Sequence, residues 1–175
     1  MGLKNGVIGG ICAGLITAGS VAAQDQSTNR VAVETDWNVF VEDNPTECWS
    51  VSVPKETVNT RDGRVVAVTR GQILLMVFYR PSANASGQVA FTGGYPFASG
   101  STVNLNINGS NFDLFTEGEW AWPTPADDSK IVTAMKRGAE AIVTARSSRG
   151  TTTKDTFSLL GFTAAVEDAE KRCEG

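Results

Sequence analysis

The chain has 175 residues, a net charge of −4 and no histidine. The missing histidine excludes Ser-His-Asp catalysis, a histidine general base and His-ligated zinc, and the mild acidity argues against a general nucleic-acid binder. The sequence also has no Gly-x-Ser-x-Gly elbow and no Walker loop. We therefore expect neither a cofactor nor a bound metal.

The N-terminus has the composition of a cleavable secretory signal peptide. Lys4 supplies a positive charge, residues 7–18 are apolar or small, and Val21-Ala22-Ala23 places small side chains before the polar Gln24. These features predict a signal peptide over residues 1–23. The alternative is a transmembrane anchor, but the apolar segment is short and rich in glycine. We expect no transmembrane segment in the mature chain.

Cleavage after Ala23 leaves 152 of the 175 residues, which is enough for one domain with a core. We predict a polar N-terminal tail over 24–35 and a single β-rich domain over 36–175. The two cysteines that remain are Cys48 and Cys173. An even number of cysteines in an exported chain predicts a disulfide, and two buried thiols are the alternative.

Two alternating segments open the domain. Apolar and polar residues alternate over 37–42 and again over 48–53, which predicts two strands joined by a turn at Asp43-Asn44-Pro45. Pro54 ends the second strand because proline cannot donate to a sheet.

A second strand pair is expected around Arg70-Gly71. A two-residue turn there joins residues 65–69 to residues 72–80 and places Val68 opposite Ile73. Residues 73–79 are apolar on both faces, which predicts a central strand covered on both sides.

Asn108-Gly109 is the clearest hairpin pattern in the chain, because both residues accept the positive φ angles of a type I′ turn. With these two residues as the loop, the apolar sides of both strands coincide. The predicted cross-strand pairs are Ile107 with Ser110, Leu105 with Phe112 and Val103 with Leu114.

A short helix is expected after Thr124, which is suited to the N-cap and is followed by Pro125 at the first helical position. Acidic residues occupy its first turn, Lys136 and Arg137 its last, and Gly138 ends it. Its inward residues are predicted to be Ile131 and Met135.

Two more strands, over 140–146 and 154–159, precede a C-terminal helix from about Thr163. Phe162, Val166, Ala169 and Cys173 recur on one side of that helix. The elements together predict a mainly β fold, either an antiparallel β-sandwich or a partly closed barrel, with a short helix and a C-terminal helix.

The segment from residue 139 onward carries a family resemblance. The matching pieces are Arg149-Gly150-Thr151, Phe157-Ser158-Leu159, Gly161-Phe162, Ala164-Ala165 and Cys173, together with Trp37 followed by Cys48, and Trp122 before the short helix. The chain resembles the invasion-associated locus B family of exported α-proteobacterial proteins. The resemblance implies a periplasmic or outer-membrane-associated β-rich domain and supplies no catalytic residues. Because many relatives belong to free-living bacteria, a role in host-cell entry is not carried over.

Two carboxylates lie beside two aromatic side chains at Glu117, Glu119, Trp120 and Trp122. Such a group is able to hold or cut a sugar chain. The alternative, which we favour at this point, is that Trp122 packs in the core while the glutamates lie on a solvated loop.

The segment from 130 to 154 is basic although the whole chain is acidic. It supplies a candidate surface for an anionic lipid or an acidic protein partner, and an ordinary solvated surface is the alternative. The candidate partner-binding residues are Lys136, Arg137, Arg146, Arg149 and Lys154.

Our leading functional hypothesis is an exported, non-enzymatic domain that binds an envelope protein or an anionic envelope component, without nucleic acid. We expect it in the periplasm, associated with the outer membrane or secreted. The alternative hypothesis is an envelope-glycan-binding module or weak glycan hydrolase, and a third is a purely structural envelope protein.

Overall fold

The computed structural model describes residues 28–174. The predicted signal peptide and residues 24–27 of the predicted tail lie outside this range. The described residues form two α-helices, α1 (Pro125–Arg137) and α2 (Phe162–Cys173), and one antiparallel sheet of twelve strands. The strands are β1 (Arg30–Glu34), β2 (Trp37–Glu42), β3 (Glu47–Ser52), β4 (Glu56–Arg61), β5 (Arg64–Val65), β6 (Leu74–Arg80), β7 (Ala85–Thr92), β8 (Thr102–Ile107), β9 (Ser110–Glu117), β10 (Trp120–Trp122), β11 (Glu140–Arg146) and β12 (Thr152–Ser158).

The order of strands in the sheet is β1-β2-β3-β6-β7-β10-β9-β8-β11-β12-β4-β5. Strand β3 is third in this order and β4 is eleventh, yet only residues 53–55 join them, so the sheet curls until its two ends approach each other. Two hydrogen bonds link the ends: Asp36 N donates to Leu160 O at 3.3 Å, and Trp37 Nε1 donates to Ser158 O at 3.0 Å. The predicted mainly β, antiparallel fold with a short helix and a C-terminal helix is confirmed, as one curled sheet that does not close.

The Asn108-Gly109 hairpin is confirmed in every predicted pair. Ile107 faces Ser110, Leu105 faces Phe112 and Val103 faces Leu114 between β8 and β9. The register is fixed because a slip of one residue would turn the apolar side chains of the slipped strand to solvent.

The hairpin predicted around Arg70-Gly71 is wrong. Residues 66–73 form no strand, β5 pairs with β4, and β6 pairs with β3 and β7. The reason is that Arg70 turns inward and forms an ion pair with Asp155 of β12, with Arg70 Nη2 at 2.6 Å from Asp155 Oδ2. The central position of residues 73–79 is nonetheless confirmed, because β6 lies between two strands and is buried over five consecutive residues.

The tail prediction needs a correction for residues 30–34, which form β1 and pair with β2. Val31 and Val33 are 43% and 57% exposed, so this edge strand has little of the core pattern that would reveal it. Strand β12 also begins two residues earlier than predicted, at Thr152.

Helix α1 has the predicted bounds and buries Ile131 and Met135 as predicted. Thr124 occupies the N-cap, but its hydroxyl donates to Asp127 Oδ2 at 2.7 Å instead of accepting a backbone N–H. Asp128 in the same turn accepts a hydrogen bond from Val89 N of β7 at 2.8 Å. The helix is therefore attached to the sheet at its N-terminal end as well as through its apolar side.

Helix α2 buries the predicted side, including Phe162, Val166, Ala169 and Cys173. It lies against β2 and β3, and the predicted disulfide between Cys48 and Cys173 is confirmed, with a Cα–Cα distance of 5.8 Å. Within residues 28–174, neither this helix nor α1 has the length and apolar character needed to cross a membrane.

The two faces of the curled sheet form separate apolar clusters. The main core lies inside the curl and includes Trp37, Leu75, Phe91 and Phe157, each fully buried. A smaller cluster, built on Val51, Met76, Phe78 and Ala90, lies on the outer face. This second cluster holds the candidate functional site.

Candidate functional site

Five aromatic rings form a continuous row across the outer face of the sheet. They are Phe40 of β2, Trp49 of β3, Phe78 of β6, and Trp122 and Trp120 of β10. Consecutive ring centroids lie 5.5, 6.2, 6.3 and 5.8 Å apart along this order. We call these five residues the outer aromatic face.

Strand register explains why the rings align. Phe40 is directly opposite Trp49, and Trp49 is directly opposite Phe78. Side chains alternate between the two faces of a strand, so the neighbours Val39, Cys48 and Val77 point into the main core. Each such cross-strand pair contributes roughly 0.2–1 kcal/mol to stability.

The rings of the outer aromatic face are only partly buried, except for Phe78, which is 9% exposed. The buried side chains of α1 and α2 all belong to the main core, so within residues 28–174 neither helix covers this face. Phe115 lies opposite Trp122 on β9 and extends the apolar surface, with 57% of its surface exposed. An exposed apolar surface with a polar rim is typical of a binding site.

Two open grooves flank the row. The first has a volume of about 470 Å³, and Phe40, Trp49 and Met76 line it together with the polar side chains of Asn38 and Gln72. The second has a volume of about 600 Å³, and Trp122 and Phe115 line it together with Arg80, Gln88 and Glu117. Both grooves therefore combine an apolar floor with hydrogen-bonding groups at the edge.

Arg80 lines the second groove and packs against the aromatic row. Its guanidinium lies over the Phe78 ring, with the central carbon 4.5 Å from the ring centroid. Its buried Nε is 3.7 Å from Glu47 Oε2, which is too long for a hydrogen bond. No other acceptor in the described part of the chain reaches this atom.

The four residues predicted to handle a glycan are only partly brought together. Trp120 and Trp122 stack at 5.8 Å in the aromatic row, outside the main core. Glu117 lines the second groove, whereas Glu119 lines a different groove on the other side of the β9–β10 turn. Both glutamates are exposed, so no pair of carboxylates converges on one point.

The basic candidates are spread over the molecule. Lys136 and Arg137 end α1, and Lys136 is bonded to Glu167 of α2 at 2.9 Å. Arg146 and Arg149 lie at the opposite end of β11. The rise of a seven-residue strand places them about 20 Å from the end of α1. Lys154 of β12 is opposite Thr144 and lies on the same exposed side of the sheet as Arg146. The five residues therefore fall into two separate groups and do not form a single basic surface.

Sequence reasoning did not find Phe40, Trp49 and Phe78 as parts of a site. All three lie at the outward positions of strands that were predicted correctly or in part. The missing information was the sheet order, since β3 and β6 are separated in sequence by β4 and β5. Among residues 28–174, no group of three or more acidic or cysteine side chains is placed to hold a metal.

The family model described as Invasion associated locus B (IalB) protein matches residues 37–170. The chain belongs to this family. The match covers all five rings of the outer aromatic face and both helices up to Glu170. The IalB family is not a known enzyme family, and membership together with the disulfide suggests an exported protein. Neither the curated proteins nor the solved structures gave a match to this IalB chain.

Proposed function

We propose that this IalB protein is a non-enzymatic binding domain of the cell envelope, and that its outer aromatic face holds an envelope glycan chain. The observation that carries the proposal is the row of five rings at 5.5 to 6.3 Å spacing on a face that the described helices leave uncovered. A row of this kind suits a polymer, because successive units meet successive rings.

The chemistry of the two flanking grooves supports a sugar ligand. The apolar face of a sugar ring packs on an aromatic ring, while its hydroxyl groups need donors and acceptors at the edge. Asn38, Gln72 and Gln88 supply amides that do both, and Arg80 also lines the second groove.

The same geometry supports binding without hydrolysis. A glycosidase needs two carboxyl groups about 5–9.5 Å apart that flank one scissile bond. Here Glu117 and Glu119 line different grooves, and both are exposed. The row is also shallow, so a bound chain would remain in contact with water.

Tryptophan fluorescence measures this binding directly. Three of the four tryptophans belong to the row, whereas Trp37 is fully buried in the main core. Titration with soluble, uncross-linked glycan strands of peptidoglycan should give a saturable change. Trp49→Ala and Trp122→Ala should each weaken binding at least tenfold, because buried aromatic anchors contribute about 2 kcal/mol or more.

Val65→Ala is the control, because Val65 is 78% exposed, pairs with Thr60 on β4, and lines neither of the two grooves that flank the row. It should bind glycan strands like the wild type. Absence of a saturable change, or equal weakening in all three variants, would contradict the proposal.

A photo-cross-linker introduced at position 49 separates the two classes of ligand in cells. Recovery of glycan fragments on that site supports the proposal. Recovery of one stoichiometric envelope protein without glycan would mean that this face binds a protein partner instead of a glycan.

A further inference from the structure

A third groove lies away from the outer aromatic face, and three arginines line it: Arg61 at the end of β4, Arg70, and Arg149 in the β11–β12 turn. Its volume is about 530 Å³, within the range of roughly 300–1,000 Å³ typical of small-molecule sites. We call it the arginine groove.

Arg70 forms a rigid part of the wall. Its guanidinium donates to both carboxylate oxygens of Asp155, at 2.7 and 2.6 Å, and to Gly93 O at 2.9 Å. It also lies over the Tyr95 ring at 5.0 Å, and the Tyr95 hydroxyl is 2.6 Å from Thr153 Oγ1. Burial raises the pKa of Tyr95, so this hydroxyl stays neutral. This part of the groove wall is therefore preorganised, and the charge of Arg70 is already neutralised by Asp155.

Arg61 and Arg149 differ from Arg70 because both are exposed, and within residues 28–174 neither forms an ion pair. Arg61 Nη2 donates to Thr151 Oγ1 at 2.8 Å, which directs its guanidinium along the groove. Among the described residues, Glu119 is the one carboxylate that lines the groove. Asp155 lies next to the lining as the ion-pair partner of Arg70. Three arginines against these two carboxylates leave a net charge of +1, in a chain whose net charge is −4.

We propose that the arginine groove binds the oxyanion group, carboxylate or phosphate, of a small ligand such as an acidic sugar. Arg61 and Arg149 supply guanidinium donors, which match the geometry of these anions. Ser148 and Thr151 supply hydroxyls beside them. The site is independent of the outer aromatic face.

The test is a titration of the ¹⁵N-labelled full chain, followed by amide chemical shifts at low salt. The probes are glucuronate, inorganic phosphate and, as the uncharged control, glucose. Saturable shifts confined to residues around Arg61, Ser148 and Thr151 are expected with at least one anion and not with glucose. Binding of glucuronate alone points to a carboxylate ligand, and binding of phosphate alone points to a phosphorylated one.

Three variants separate a built site from general attraction. Arg149→Gln should weaken anion binding about tenfold, and Glu119→Gln should strengthen it severalfold because a competing carboxylate is removed. Arg146→Gln removes another exposed charge, at the end of β11 and outside the lining of the groove, and should leave binding unchanged. The proposal is overturned if neither anion gives saturable shifts, if glucose binds equally well, or if Arg146→Gln weakens binding as much as Arg149→Gln.

Discussion

Removal of the Cys48–Cys173 bridge should be the most destabilising single change at the junction of α2 and the sheet. The bridge spans 125 residues, and the chain-entropy relation then gives a stabilisation of about 4.9 kcal/mol at 25 °C. Because single domains are stable by only about 5–15 kcal/mol, this is a large share of the total.

The perturbation is Cys48→Ala, Cys173→Ala and the double substitution. Both cysteines are buried, at 0% and 8% exposure, so each truncation adds a small packing loss of about 1 kcal/mol. Each single variant should lose about 4–6 kcal/mol. The double variant should lie within about 1 kcal/mol of either, because the same bridge is removed in all three.

Equilibrium urea unfolding, monitored by tryptophan fluorescence at low temperature, measures these differences. The m-value, which is the slope of the free energy of unfolding against urea concentration, should also increase in the variants, because an unfolded chain without the cross-link exposes more surface. Wild type under reducing conditions is the control and should behave like the double variant. If the double variant loses the sum of the two single losses, or if either single variant loses less than about 1 kcal/mol, the reasoning is refuted.

Three further predictions concern other parts of the fold. Arg70→Met should lower the free energy of unfolding by about 3–5 kcal/mol, because it leaves the fully buried Asp155 carboxylate without its partner. The double variant Arg70→Met, Asp155→Leu should regain most of that loss in urea unfolding, and no recovery would contradict this account. Gly161→Ala should lower the melting temperature more than Gly63→Ala, since both glycines have positive φ but only at Gly161 would a Cβ overlap a carbonyl of β1; equal losses would show that the overlap is relieved. Burial raises the pKa of Asp128 above its ordinary value of 3.8, so folding favours the protonated form. The free energy of unfolding of wild type, relative to Asp128→Asn, should fall as pH rises from 3.8 through the raised pKa, and urea titrations showing no change across this interval would refute the prediction.

The sequence was sufficient wherever local chemistry and side-chain alternation agree. The Asn108-Gly109 turn and the alternation on both sides of it determine the same register, so that hairpin was predicted pair by pair. Helix α1 was predicted from its proline, its terminal charges and its glycine. Cys173 was placed inward because it shares one side of α2 with three apolar residues.

Long-range pairing could not be predicted in this way. Arg70-Gly71 resembles a turn locally, but the charge of Arg70 is satisfied by Asp155, 85 positions later. The outer aromatic face could not be predicted for the same reason. Phe40, Trp49 and Phe78 become neighbours only through the order of the strands, which the amino-acid pattern of each strand does not contain.

The curl of the sheet also has a consequence for the order of folding. Strand β4 pairs with β12, so residues 56–60 meet residues 152–156, and Cys48 meets the end of α2. Contacts of such high sequence separation slow folding, because a long loop must close before they form. An N-terminal half that emerges first from a ribosome or a translocation channel therefore has β5 beside β4 but lacks β12, on the other side of β4, and the second cysteine. The protein gains its final stability only once its last 25 residues are available, so loss of that short C-terminal segment would remove the bridge, the closing helix and the strand that joins β4 and β5 to the rest of the sheet.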